Sequence, residues 1–479
     1  MGFTTPFFVF LFFPLTVACY YSAVAVEKIS PVLKKCRLSD LALLAFSFVF
    51  YGWGILSDMA FFAGYILGVW LLGFLIDRAE RKRATGFLAV SLILLLGVLY
   101  LFKYQSFTVS TLNSLAGREV LPVRKLLAPL GISFVTFSAI SFVVDIYRGQ
   151  AARGSLLDAA LYLSFFPKVV SGPIVLWKDF GRQVSERTLS SDRFISGLNR
   201  IMIGFAKKLI LADTFGTLCA EIREASGISI LTAWGCAFFY MLQIYYDFSG
   251  YSDIAIGLSR LFGFELKENF NYPYVATSIT EFWRRWHISL GTWFREYLYI
   301  PLGGSRKGKK RTLLNLGIVF FLTGLWHGAG WGYIAWGIGH GVCRIGEKCL
   351  EGSRFYERIP KAVKYLFTML VVMLGWEVFR LEEMREILYF GAIMVGLKRF
   401  DWIKYSFSYF FTPKIWLLIA VAVLGATVLS KPGMRSLPEK LTQKKGWFIA
   451  QELGLMLLMV LAVIFMVNST YSPFIYFRY

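Results

Sequence analysis

Only three histidines occur in this chain of 479 residues: His287, His327 and His340. All lie in or beside apolar runs, where an ionisable side chain is costly and is retained for a reason. His327 ends the apolar run that begins at Leu316, and Gly328 and Gly330 follow it. Glycine after a helix permits a left-handed closing turn and close approach of a substrate to the backbone. Neutral imidazole titrates near ambient pH and is a good general base. The alternative for His327 is a helix-ending side chain that bonds a free carbonyl.

His287 sits within Thr280–Tyr297, where helical periodicity puts Trp283, Trp286, Leu290, Trp293, Phe294 and Tyr297 on one face. Arg284 and Arg295 fall on the other face, with His287 at the boundary. Two readings fit these arginines: an interfacial anchor whose cations snorkel, or a cavity wall that attracts an anionic donor. His340 lies among Gly337, Gly339 and Gly341, which favour close helix packing, so a hydrogen bond between helices is expected of it. Asp247 and Asp253, in Tyr245-Tyr-Asp-Phe-Ser-Gly-Tyr-Ser-Asp253, would orient a base or close a helix.

Other chemistries find little support. Residues 303–310 approach a phosphate-binding loop, but Lys310 stands where Mg²⁺ needs Ser or Thr, and no strand precedes the glycines. That segment reads as a basic turn able to attract a phosphorylated donor. No G-x-S-x-G elbow is present, and no histidine is followed five residues later by an acid. The six cysteines form no C-x-x-C pair and read as small buried hydrophobes. No metal and no bound cofactor is expected.

The elements that must position these residues are membrane helices. Hydrophobic residues make up 57% of the chain and charged ones only 17%, against about a quarter charged in soluble domains. A net charge of +21 would suit nucleic acid in a soluble protein. Here the cations cluster in short loops between apolar runs, so membrane topology explains them and no nucleic-acid partner is expected. The fold class is all-α and polytopic, with about eleven spans of ~20 residues plus re-entrant and interfacial helices. Candidate spans are 3–26, 38–56, 59–76, 86–103, 126–146, 228–248, 312–326, 331–344, 363–379, 416–430 and 447–467. The first of them is read as a membrane helix, not as a cleaved leader, because no basic segment precedes it.

Placing the basic loops after the first and third spans in the cytoplasm puts the N-terminus outside. The same rule makes the tail 468–479 extracytoplasmic and keeps 381–396 at the interface. Between 155 and 308, prolines and charges break the apolar runs. Irregular backbone at membrane depth survives only inside protein or beside a cavity. The expected organisation is one membrane domain over 1–479, with N-terminal helices (1–150), a catalytic core (155–345) and C-terminal helices (360–479).

Several motifs resemble the membrane-bound O-acyltransferase family. They are Phe165-Phe-Pro-Lys-Val-Val-Ser-Gly-Pro173, Tyr246-Asp-Phe-Ser-Gly-Tyr-Ser-Asp253, Trp283-Arg-Arg-Trp-His-Ile-Ser-Leu290, 303–309 and Gly324-Leu-Trp-His-Gly328. In order, and with the helix pattern, they cover nearly the whole chain. The branch they resemble is that of bacterial alginate and peptidoglycan O-acetyltransferases, with teichoic acid D-alanyltransferases as relatives. The resemblance implies a ring of helices around a thinned central tunnel, with His327 catalytic and His287 supporting it; beside them Arg284, Arg295, Trp326 and Asp247 are read as donor-side or tunnel residues.

It further implies acetyl transfer from a cytoplasmic thioester, acetyl-CoA or a carrier protein, to an extracytoplasmic polysaccharide in the cell membrane. An SGNH-type partner on the outer side is implied as well. Pro473-Phe-Ile-Tyr-Phe-Arg-Tyr479 resembles a C-terminal motif of this branch, in which Tyr476 would carry the acyl group; Tyr479 replaces a frequent Phe. An interfacial aromatic anchor is the other reading of this tail. Two rival functions remain open at this point. One is D-alanyl transfer. The other is transport of a glycan or lipid intermediate, against which no repeat relates the two halves.

Overall fold

The computed structural model describes every residue except 125, 226, 432–433, 435–444, 469–472 and 476–479. Tyr476 and Tyr479 therefore lie outside the described residues. The protein is all-helical, with no strand among the described residues. Among the described residues, six helices are long and apolar enough to cross a membrane: Phe8–Ile29, Leu56–Arg78, Arg81–Ala116, Lys361–Leu381, Pro413–Ser430 and Gly446–Asn468. Leu38–Gly52 and Ile132–Tyr147 are shorter apolar helices. The expected span at 126–146 begins late, at Ile132. Gly131 takes a left-handed conformation (φ 68°), and Ile132 N–H closes a turn onto the Pro129 carbonyl. The segment at 381–396 holds an 11-residue helix, Met384–Met394, too short to span.

Two compact units divide the chain. One comprises Met1–Ile201, Tyr251–Lys267 and Met466–Tyr479; the other comprises Met202–Gly250 and Glu268–Phe465. In the first, residues 165–176 are irregular and wholly buried. Neighbouring side chains bond their backbone, as a membrane environment demands. Phe166 N–H donates to Ser47 Oγ (3.2 Å) and Ser171 N–H to Tyr251 Oη (3.4 Å). Tyr162 Oη donates to the Val175 carbonyl (2.7 Å). Phe12, Phe50 and Phe262 pack on Phe166 with ring centroids 5.5–5.9 Å away. Arg187 pairs with Asp40, and Arg37 with both Asp40 and Asp158 (2.6 Å each). Phe474, from the tail, stands edge-on to Tyr251 at 4.9 Å.

The helix Ile230–Leu261 has 32 residues and runs well beyond the expected end at 248. It continues because its carboxylates are paired. Lys208, buried on the helical stretch Lys207–Ala212, holds Asp247 (2.7 Å) and Asp213 (2.6 Å) in the second unit. Asp253 in the first unit binds Arg200 (2.6 Å). Asp253 is thus an ion-pair partner in mid-helix and not a cap. Among the cysteines, Cys219 and Cys236 are buried as expected, whereas Cys19, Cys36 and Cys349 are exposed. A thiol on a lipid-facing or interfacial surface has no need of burial, because lipid is itself an apolar solvent.

Taking one partner from a buried ion pair costs about 3–5 kcal/mol, much more than replacing both with apolar groups. Asp247→Ala should therefore lower the unfolding temperature and steady-state level of the protein sharply. The triple variant Lys208→Met/Asp247→Leu/Asp213→Asn, which removes every charge of the cluster, should be more stable than Lys208→Met alone, which strands both carboxylates, as read by thermal unfolding in detergent.

Candidate active site

Two helices of the second unit, Lys309–His327 and Trp331–Leu350, form an antiparallel hairpin joined by 328–330. Small residues let their backbones touch. A Cβ on Gly337 would meet the Phe320 carbonyl oxygen at 2.6 Å and Gly324 Cα at 2.9 Å. His327 closes the first helix as expected, but Gly328 is extended (φ −165°) and not left-handed. Its lack of a side chain serves packing: the Tyr333 ring lies over it, where a Cβ would overlap.

His327 is 3% exposed. Three aromatic rings surround its imidazole: Trp326 at 5.0 Å, Trp336 at 5.1 Å (89° between planes) and Phe379 at 5.1 Å (84°). Trp326 is also 6.2 Å from the His287 ring, so one indole lies against both histidines.

The single helix expected across 280–297 is broken. One piece ends at Arg285, His287 takes a left-handed conformation (φ 46°), and a second helix starts at Ile288. Asn269 makes the break tolerable. Its backbone carbonyl accepts Ile288 N–H (3.0 Å), and its side-chain Oδ1 accepts Ser289 N–H (3.1 Å) and Ser289 Oγ (2.8 Å). The amide N–H of Ser289 can only donate, so the atom facing it is the oxygen of Asn269. His287 Nδ1 lies 3.2 Å from that same oxygen and must carry the proton. The Nε2 atom of His287 then holds the lone pair and is the atom able to accept a proton.

Upstream of the break, Glu281 accepts from Thr277 N–H (2.9 Å) and from Arg285 (2.8 Å). Burial works against its charge, but these bonds prevail and hold its carboxyl below the usual range. Trp286 is buried on Phe270 and Trp376, while Arg284 and Arg295 are exposed. The expected aromatic and cationic sides therefore persist although the helix does not.

His340 departs from expectation. It is 2% exposed, yet neither ring nitrogen has a hydrogen-bond partner. Trp283 (5.3 Å) and Trp336 (5.2 Å) meet its ring, and it packs against Gly375 without bonding to it. Asp247 is engaged by Lys208. Sequence reasoning missed Lys208, Asn269, Trp336 and Phe379. No local period links Asn269 to His287 or Phe379 to His327. Trp336 alone had a signal, since Gly337 beside it belongs to the small-residue stripe that brings the hairpin together.

The model of the membrane-bound O-acyltransferase family matches residues 85–360, and the chain belongs to that family. It is a multi-pass membrane protein and an acyltransferase, which removes the transport reading. The chain is 36% identical to a probable alginate O-acetylase AlgI of Pseudomonas putida over 100% of both sequences. It is 32% identical to the peptidoglycan O-acetyltransferase of Helicobacter pylori over 82% of this chain and 80% of that one. A teichoic acid D-alanyltransferase of Streptococcus thermophilus is 29% identical over 70% and 78%.

Losing the bonds to Asn269 costs about 1–3 kcal/mol, or roughly 5–150-fold in rate if the loss falls on the reaction. Asn269→Ala should slow acyl transfer by that order, whereas Asn269→Asp, which keeps an acceptor facing His287 and Ser289, should retain more. Steady-state rates of the purified variants make the comparison, and a wild-type rate for Asn269→Ala contradicts the role given to Asn269.

Proposed function

We propose that this protein passes an acetyl group from a cytoplasmic thioester through the cell membrane for O-acetylation of a secreted or cell-wall polysaccharide. The observation that carries the reading is the buried pair His327 and His287, both in ring contact with Trp326. Full-length similarity to a probable alginate O-acetylase supports the acyl group and the acceptor class.

His327 is the general base. It takes the proton of the attacking hydroxyl, a contribution typically of ~10²–10⁴-fold. His287 stands beside it with Nε2 as its accepting atom. The aromatic walls exclude water and so limit hydrolysis of the thioester. Arg284, Arg295 and the basic turn at 303–310 attract the anionic donor, either acetyl-CoA or an acetylated carrier protein, from the cytoplasm, and Trp326 and Asp247 belong to the same core. The hydroxyl that receives the acyl group belongs to Tyr476 or to an extracytoplasmic SGNH-type partner. In this reading about eleven spans, plus re-entrant and interfacial helices, form one membrane domain around a tunnel, with the six long apolar helices among those spans. The tail faces outward in this reading.

D-alanyl transfer is the second reading, supported by the similarity to teichoic acid D-alanyltransferases. The test is the ester content of the surface polymer in cells carrying the wild type or His327→Ala at equal protein level. Acetyl esters present with the wild type and lost with His327→Ala are expected. Retained acetylation rejects His327 as the base, and D-alanyl esters in place of acetyl reject the acetyl donor.

A further inference from the structure

Trp336 is 2% exposed, and its indole N–H has no hydrogen-bond partner. A buried donor left in that state costs about 1–3 kcal/mol. Other buried indoles share the condition, but Trp336 differs from Trp283 and Trp376 in its position. Its ring lies 5.1 Å from that of His327 and nearly perpendicular to it, whereas Trp283 and Trp376, which like Trp336 meet His340, make no ring contact with His327 among the described residues. Trp326 is the other indole on His327, at 5.0 Å.

Its placement is rigid. Trp376 stacks on it at 6.0 Å, Phe379 and His340 each meet it at 5.2 Å, and Trp283 at 5.7 Å. The next residue, Gly337, is in backbone contact with the helix that ends at His327. The indole ring is therefore fixed relative to the imidazole before any substrate arrives. A fixed N–H in a water-poor site, aimed where charge develops, is the usual source of the largest electrostatic contribution to acyl transfer.

We propose that the indole N–H of Trp336 is the hydrogen-bond donor to the acyl carbonyl oxygen of the thioester, and that it stabilises the oxyanion formed there. The proposal rests on His327 being the base. As His327 takes the hydroxyl proton, the hydroxyl oxygen bonds to the carbonyl carbon and the carbonyl π pair moves to oxygen. Trp336 donates to that oxygen. The pair then returns to re-form the carbonyl, the carbon–sulfur bond breaks, and the departing thiolate takes the proton from the His327 imidazolium. The ester and the free thiol are the products, and no other reactant is needed. The donor chemistry recognised is the thioester carbonyl, which acetyl-CoA and an acetylated carrier protein share.

Trp336→Phe keeps an edge-on ring and removes only the N–H. Removing one oxyanion donor costs about 10²–10³ in kcat. With the purified protein in lipid vesicles, Trp336→Phe should lose roughly that factor in kcat while the KM for the donor changes little. Acetyl-CoA and acetylated carrier protein are assayed in parallel, and the one that supports turnover identifies the source. Trp336→His, which returns a ring N–H, should recover part of the loss. Trp70→Phe removes another buried, unpartnered indole N–H, one that packs on Phe74 and Arg153 and not on the rings around Trp336, and should leave kcat near wild type. If Trp336→Phe does not accumulate, benzothienylalanine at position 336, isosteric with indole but lacking the N–H, makes the same comparison. A near wild-type kcat for the variant lacking the N–H overturns the proposal, as does an equal loss in Trp70→Phe. If His327→Ala also retains activity, the assignment of His327 fails first; if only the Trp336 variant does, the role of Trp336 alone fails.

Discussion

The site depends on one backbone contact, that between Gly324 and Gly337. Within a bilayer no hydrophobic effect presses helices together, so close packing of small residues must do it. This contact brings the helix ending at His327 against the helix carrying Trp336 and His340. A larger side chain at either glycine would push the two apart and move the imidazole away from its aromatic wall. Gly324 and Gly337 therefore position the candidate site although they carry no reactive group.

A second constraint acts on His287. A left-handed residue and a broken helix leave backbone amides that water cannot reach. Asn269 answers through both its backbone and its side chain, and the same oxygen fixes the proton on His287 Nδ1. One buried asparagine thus caps a helix and selects a tautomer. The Lys208–Asp247–Asp213 cluster follows the same logic, because a buried charge is tolerated only with its partners in place.

Much of this was legible in the sequence, and the limits have physical causes. The apolar helices, His327 at a helix end, and the opposition of aromatic and cationic sides around His287 follow from periodicity and composition. The break at His287 was not legible, because the pattern 280–297 is also that of an unbroken helix and the bonds that pay for the break come from Asn269. The length of Ile230–Leu261 was hidden because its carboxylates look like an end until Lys208 and Arg200 are seen to neutralise them. The bare nitrogens of His340 ran against the expectation of a hydrogen bond between helices, since Gly375 on the neighbouring helix and the surrounding indoles seat the imidazole by shape alone.

The central claim is that His327 performs acyl transfer from a buried aromatic site. The most direct measurement follows a labelled acetyl group from its thioester donor to an acceptor hydroxyl, using the purified protein in lipid vesicles with wild type and His327→Gln side by side. The expected result is donor-dependent transfer by the wild type and none above background by a folded His327→Gln protein. Equal transfer by both would contradict the account.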